Sequence, residues 1–120
     1  MNRREQLKKL RSKSDKLWYQ IYLRGSCEVC GAPAVQVHHF YFKGSFNHLR
    51  YHPDNGISLC QKCHARLHFR DPKAVETLII TSRGQEWYNK LQYDAFNPPL
   101  NFQFDLEWVQ AEYEKLKTLI

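Results

Sequence analysis

The chain has 120 residues and a mass of 14.4 kDa, enough for one compact unit and too little for two that each bury a substantial core. Hydrophobic residues at 42% and aromatics at 14% exclude a wholly disordered chain, and no apolar run approaches the roughly 20 residues that span a bilayer. The net charge of +6 is concentrated toward the front: residues 1–24 carry eight Lys/Arg against two acids, residues 25–70 five against two, and residues 71–120 five against eight.

A basic front and middle suit a polyanion, because neutralising phosphates releases condensed counterions. A solvated basic helix explains the same charges equally well. The opening residues MNRREQLKKLRSKSDK have no apolar stretch of the signal-peptide kind, so a cytoplasmic location is expected. Four cysteines in a reducing compartment then point to metal or catalysis rather than to two disulfides.

In chain order, Leu7, Leu10, Leu17, Trp18 and Ile21 recur at helical intervals among Lys and Arg, which predicts an amphipathic helix from Arg3 to Leu23, ended by Gly25. Residues 26–70 hold every Cys and every His. Val35-Gln36-Val37 and Ile57-Ser58-Leu59 read as two short strands joined by a long loop over 41–54. Cys60 to His68 reads as a helix that puts Cys60 with Cys63 and His64 with His68, each pair on its own face. Asp71-Pro72 supplies a cap and first turn for a helix from Pro72 to about Thr81 that buries Val75, Leu78 and Ile79. Gly84 breaks the pattern, which resumes from Gln85 to about Ala95. Asn97-Pro98-Pro99 is a linker, and a last helix runs from about Leu106 to Leu119.

Cys27-Glu28-Val29-Cys30 and Cys60-Gln61-Lys62-Cys63 are two CxxC pairs, each able to place two thiolates on one tetrahedral ion. Together they are a strong zinc signal. Gly31 permits the backbone turn after the first pair. A thioredoxin-like redox pair needs one CxxC and a βαβ setting, which is missing. A site closed by four cysteines leaves no open coordination position, so its role is structural and the chemistry lies elsewhere.

Between and after the cysteine pairs stand His38-His39, Asn55, His64 and His68. This series resembles the HNH, or ββα-metal, endonuclease motif. The resemblance implies that His38, His64 and His68 hold a catalytic divalent ion, that His39 is the general base, and that Asn55 braces the loop. Phosphodiester hydrolysis wants those residue types. A neutral imidazole takes a proton from water near pH 7, and three protein ligands leave an ion open to phosphate.

In a regular strand, successive side chains point to opposite faces, so the strand is expected to end or bulge for His38 and His39 to face one phosphate. Asn55 would enforce this through the backbone after His39. Asn55-Gly56 also reads as a type I′ turn. His64 and His68 could instead join Cys27 and Cys30 in a zinc finger, which would leave Cys60 and Cys63 without a role. Candidate phosphate contacts are Lys43, Arg50, Arg66 and Arg70, with Lys8 and Arg11 on the first helix. His48 and His52 lie outside the motif and read as surface or phosphate-contacting residues, and Phe40-Tyr41-Phe42 as core.

From Leu17 to about Leu91 the order of features, LRGSCEVCG, HF, a Lys-Gly loop, LRYHPDN, CQKC and RGQEWYNKL, is similar to the phage NinG/Rap recombination nuclease family. That likeness implies a phage-encoded enzyme in a bacterial host that cleaves branched DNA. In that family Gly commonly precedes the motif His and Asn follows the last Cys, whereas His38 and His64 stand there in this chain.

The expected fold is α+β: a ββα-metal core with a four-cysteine zinc knuckle, flanked by N-terminal and C-terminal helices in a single unit, with a basic helix over 1–24, the zinc and HNH core over 25–70 and a helical part over 71–120. The expected function is metal-dependent cleavage of DNA, with structural Zn2+ and one catalytic Mg2+, Mn2+, Zn2+ or Ni2+. Nitrogen ligands favour zinc, nickel or cobalt over magnesium; the family resemblance admits magnesium or manganese. No membrane and no small-molecule substrate is expected. The rivals are a non-catalytic zinc-stabilised DNA-binding module and a nuclease acting on RNA or within a toxin pair. Only the enzyme needs His39.

Overall fold

The computed structural model describes residues 1–120. Helix α1 (Arg3–Tyr22) starts where the Asn2 side chain accepts from the Glu5 N–H at 2.9 Å, satisfying one of the free donors of the first turn. It lies along α5 (Leu106–Lys117), which Asp105 caps through the Trp108 N–H at 2.9 Å. Between them α1 and α5 bury Trp18, Val109 and Leu116 together with Val37 and Tyr51.

The sheet is a two-stranded antiparallel ribbon, β1 (Gln36–His39) and β2 (Gly56–Leu59), in the register Gln36↔Leu59, Val37↔Ser58, His38↔Ile57 and His39↔Gly56. The long connection contains one short 3-10 turn, Asn47–Leu49. Helix α2 (Gln61–Phe69) follows β2 directly, with Cys60 as its N-cap. One face of the ribbon meets α1 and α5 through Val37. Ile57 and Leu59 form a second apolar cluster with Leu67 of α2 and with Val75 and Ile79 of α3 (Pro72–Arg83). The expected α+β architecture, a ββα core with a cysteine knuckle and helices at both ends, is the architecture found. No helix is long and apolar enough to cross a membrane.

Several local expectations are corrected. Leu78 is 42% exposed, and only Val75 and Ile79 of α3 are buried. Asp71 precedes α3 but does not cap it with its side chain; its carboxylate takes the Arg66 guanidinium instead, Nε to Oδ1 at 2.8 Å. Helix α3 runs on to Arg83, and α4 spans Gln85–Phe96, the two separated by Gly84 at φ 103°, where a side chain would be strained. Asn55 and Gly56 both have negative φ, so they do not form the type I′ turn, which needs positive φ at both central residues.

The absence of a side chain at Gly56 has a different reason. A Cβ there would lie 2.9 Å from Cζ2 of the buried Trp18 ring and 3.1 Å from Val37 Cγ1. Gly56 is what lets the indole lie against the last pair of the ribbon.

Candidate metal and phosphodiesterase site

The first cysteine pair sits in a tight reversal. Gly31 at φ 80° turns the backbone so that its N–H donates to the Cys27 carbonyl at 2.9 Å, while the Cys27 N–H donates to the Ala32 carbonyl. The second pair straddles the start of α2, where the Cys63 N–H points to Cys60 Sγ at 3.4 Å. The four sulfurs lie within 4.8 Å of one another, with Cys30 Sγ and Cys60 Sγ 3.6 Å apart, a spacing that fits tetrahedral zinc with Zn–S bonds of about 2.3 Å. Burial raises the Cys27 thiol, but hydrogen bonds from surrounding backbone outweigh it and bring the group down to about 7, so it is readily a thiolate. Burial and the neighbouring sulfurs push Cys63 up; four thiols crowded this closely without a cation resist ionisation together. These four cysteines form a zinc knuckle.

The knuckle is tied to the rest of the fold by Glu28, whose role was not anticipated. Its carboxylate accepts from the Ser58 N–H on β2 at 2.9 Å and from Arg83 Nη2 on α3 at 2.9 Å. Arg83 Nη2 also donates to the Gly56 carbonyl at 2.8 Å.

On the α2 side of the ribbon, the ring nitrogens of His38, His64 and His68 come within 4.8 Å of one another. His64 Nε2 and His68 Nε2 are 3.0 Å apart, as two ligands of one ion with bonds of roughly 2.0–2.1 Å can be. The i, i+4 spacing on α2 makes this pair, and β1 delivers His38 opposite it. Burial, followed by the proximity of His64 and His68, pushes His38 down to about 3. Burial likewise lowers His64. His38 is therefore neutral across the physiological range, the form a metal requires, and its imidazole makes no hydrogen bond. His68 is exposed, so the cluster opens to solvent on one side. The three imidazoles fit a divalent ion with coordination positions to spare.

His39 is placed differently. The β1–β2 pairing is regular through His39↔Gly56 and continues as the Phe40 N–H donates to the Asn55 carbonyl at 2.9 Å. The expected bulge is absent because every residue of β1 has a single partner. Consequently His38 faces α2 while His39 faces α1, where its ring lies against Trp18 with centroids 4.2 Å apart and planes within 10°. The strand does end immediately after His39.

His39 Nε2 is 3.0 Å from the Arg50 carbonyl. A carbonyl only accepts, so Nε2 carries the proton and Nδ1 holds the free lone pair. Nδ1 makes no hydrogen bond, and since no unpartnered side-chain nitrogen is fully buried, Nδ1 is not sealed from solvent. Burial is the largest influence on His39 and lowers it; the carbonyl bond opposes that, and the positive charges of Lys43 and Arg50 add to it. The imidazole is neutral at pH 7.

Asn55 is fully buried. Its Oδ1 accepts from the Tyr41 N–H at 2.8 Å, and its Nδ2 donates to the carbonyls of Tyr41 at 3.1 Å and Leu49 at 3.2 Å. It thus bridges the two ends of the long loop just beyond His39.

Arg50, expected as a phosphate contact, is buried and turned inward. Its Nε and Nη2 donate to Asp15 at 2.8 and 2.7 Å, and Tyr51 donates to the same carboxylate at 2.9 Å. Burial opposes ionisation of Asp15, but the Arg50 and Tyr51 hydrogen bonds outweigh it and lower its pKa. His48 and His52 are both engaged by Asp94: His48 Nε2 donates to its carbonyl at 2.8 Å, and His52 Nε2 is 2.9 Å from its carboxylate. Of the remaining candidates, Lys8, Lys43 and Arg70 are exposed, Arg11 is half-buried, and Arg66 is half-buried in its pair with Asp71. Phe40 and Tyr41 are partly buried, but Phe42 is 60% exposed.

A zinc knuckle, a short antiparallel ribbon and a following helix, with an imidazole cluster between ribbon and helix, define a small metal-binding α+β fold. The segment from Cys27 to Arg70 matches the family model described as HNH endonuclease, residues 27–70. That span begins at the first knuckle cysteine and ends one residue beyond α2, so it carries both metal clusters, the ribbon and Asn55. Comparisons with curated proteins and with solved structures give no match. The match supports an HNH-type segment with nuclease or DNA-binding character. Closeness to the NinG/Rap recombination nucleases has no support beyond the sequence likeness.

Proposed function

We propose that the protein is a divalent-metal-dependent DNA endonuclease in which His38, His64 and His68 hold the ion and His39 takes the proton from the attacking water. The observation that carries this reading is the pairing of an open three-imidazole cluster with an adjacent imidazole whose tautomer is fixed and whose other nitrogen is unpartnered and not fully buried. When bound, the ion supplies Lewis-acid stabilisation of the charge that develops on the leaving and non-bridging oxygens.

The chain's own residues do the rest. His39 Nδ1 accepts the proton while Nε2 stays anchored to the Arg50 carbonyl, and Asn55 keeps the loop bearing that carbonyl in place. Because β1 ends at His39, a phosphodiester laid across the end of the ribbon can meet imidazoles from both faces, which start from Cα atoms only about 3.8 Å apart. Lys43 is close enough to lower the pKa of both His39 and Asp15, and so suits a contact with the phosphate. Lys8, Arg11, Arg66 and Arg70 would contact flanking phosphates without reading sequence. In this reading residues 1–120 act as one unit, since α1 supplies Trp18 and Asp15 to the His39 side. Branched phage DNA remains the finer substrate proposal, carried by the sequence likeness alone.

Placement of His38 and His39 on opposite faces favours a second reading, a zinc-stabilised module that binds DNA without cutting it. His39→Ala separates the two. The nuclease reading expects a variant that folds, keeps its knuckle zinc and binds DNA but nicks supercoiled plasmid about 10²–10⁴-fold more slowly. Wild-type protein that binds plasmid and never nicks it with any divalent ion would establish the module instead.

A further inference from the structure

Beside the imidazole cluster is a cavity of about 280 Å³ whose walls include His38, His68, Phe40, Phe42, Leu67 and Glu76. It shares two of its walls with the proposed ion site, so whatever fills it is contiguous with whatever is bound to the ion. Its size is just below the range of about 300–1,000 Å³ for small-molecule pockets, enough for one planar ring system.

The chemistry of the lining narrows the occupant. No Lys or Arg lines the cavity, and the one acidic group is Glu76. A phosphate is disfavoured there, because a carboxylate repels it and no cation compensates. A group with an aromatic face and N–H donors is favoured. Phe40 and Phe42 present apolar ring surface, and Phe42 remains 60% exposed at the rim, edge-on to His38 with centroids 6.2 Å apart. Exposed aromatic surface of this kind suits base stacking, and a carboxylate accepts from the amino group of cytosine or adenine.

We infer that this cavity receives one unpaired nucleobase, adjacent to the phosphodiester held at the imidazole cluster. A base within an intact duplex has both faces stacked and its edge paired, so it cannot enter without being unstacked and unpaired, which costs free energy. A base at a gap, flap or branch enters without that cost. The substrate class is therefore DNA with an unpaired, amino-bearing base next to the scissile bond. This rests on the nuclease reading for the position of the phosphate, and the cavity itself can be probed without cleavage.

The test uses the full chain with its knuckle zinc. His39→Ala protein is titrated with duplex DNA carrying 2-aminopurine opposite a one-nucleotide gap, with the same duplex intact, and with the gapped duplex made abasic at that nucleotide. The expected result is fluorescence quenching with gapped DNA only, and affinity about tenfold weaker for the abasic form, as loss of one stacked base implies. Phe42→Ala in the same background abolishes the quenching, and its zinc content verifies that it is folded. Wild-type protein, supplied with divalent ion, is expected to cut gapped DNA at least about tenfold faster than intact duplex. Quenching and the abasic effect without cleavage of any substrate would uphold the base site and overturn the nuclease reading. Equal cleavage of gapped, abasic and intact DNA with no quenching would uphold the nuclease and overturn the base site.

Discussion

The indole of Trp18 lies flat on the imidazole of His39, with centroids 4.2 Å apart and planes within 10°, so the ring proposed as general base is floored by a helix outside the segment that matches the HNH model. The indole is 2% exposed and points its Nε1 at the His52 carbonyl, 3.4 Å away. Trp18→Ala is expected to cost about 3–5 kcal/mol of stability, the range for emptying a large aromatic site, measured by urea denaturation. It should also slow nicking in the fraction that stays folded, because His39 loses its support on one face.

Gly56 sits under the same indole. Gly56→Ala would place a Cβ 2.9 Å from the ring, and neither a buried tryptophan nor a paired strand yields easily. A loss of about 1–3 kcal/mol is expected from overpacking, read as a lower denaturation midpoint with an unchanged slope.

Asp15 acts on His39 at one remove. It holds the Arg50 guanidinium at 2.7–2.8 Å, and the Arg50 carbonyl holds His39 Nε2. Asp15→Asn should destabilise by about 1.5–3 kcal/mol, the worth of a hydrogen bond to a charged group. The kinetic expectation is a lower kcat with DNA affinity little changed, because Asp15 is committed inward. A change confined to KM would contradict a positioning role.

The pH dependence follows from groups held neutral by burial. His39 lies below the ordinary histidine value of 6.5, chiefly through burial, so nicking should be flat near pH 7 and fall only on the acid side of that ordinary value. Stability changes in the same direction. The folded pKa of His38 is lowered to about 3 from 6.5, so between those values the unfolded chain binds more protons. The contribution is complete above about 6.5 and is lost as pH falls toward 3. Asp15, also lowered, adds a further loss below its ordinary value of 3.8. Urea midpoints between pH 4 and 8 test the sign.

The two metal clusters should differ in lability. Cys27, Cys60 and Cys63 are buried, whereas His64 is only partly buried and His68 is exposed. A mild chelator should strip the nitrogen site first and leave the fold intact. Removing the sulfur-held zinc should unfold the knuckle and the start of α2, since binding energy at structural zinc is folding energy. Metal content and circular dichroism followed together during chelation measure the order.

Much of this was legible in the sequence because it is local. The CxxC spacings, the i, i+4 histidines on α2 and the apolar period of α1 each depend on a few neighbouring residues and survived as read. The features that were not legible join distant segments. Arg50 looks like a free cation beside the motif until α1 brings Asp15 to it from 35 residues away. His48 and His52 read as surface groups until α4 supplies Asp94. Asn55-Gly56 has the composition of a hairpin turn, yet its small residue answers to Trp18 and its amide to the loop ends. One cue was available in Asp15, an isolated carboxylate three residues before Trp18 in a strongly basic helix.

The most direct measurement combines metal stoichiometry with nicking of supercoiled plasmid in wild type, His39→Ala and His68→Ala. Two ions per chain are expected in wild type and His39→Ala, and one in His68→Ala, with nicking only in wild type, lost on mild chelation and restored by a returned divalent ion. Undiminished nicking by His39→Ala, or by protein holding only its sulfur-bound zinc, would contradict the account.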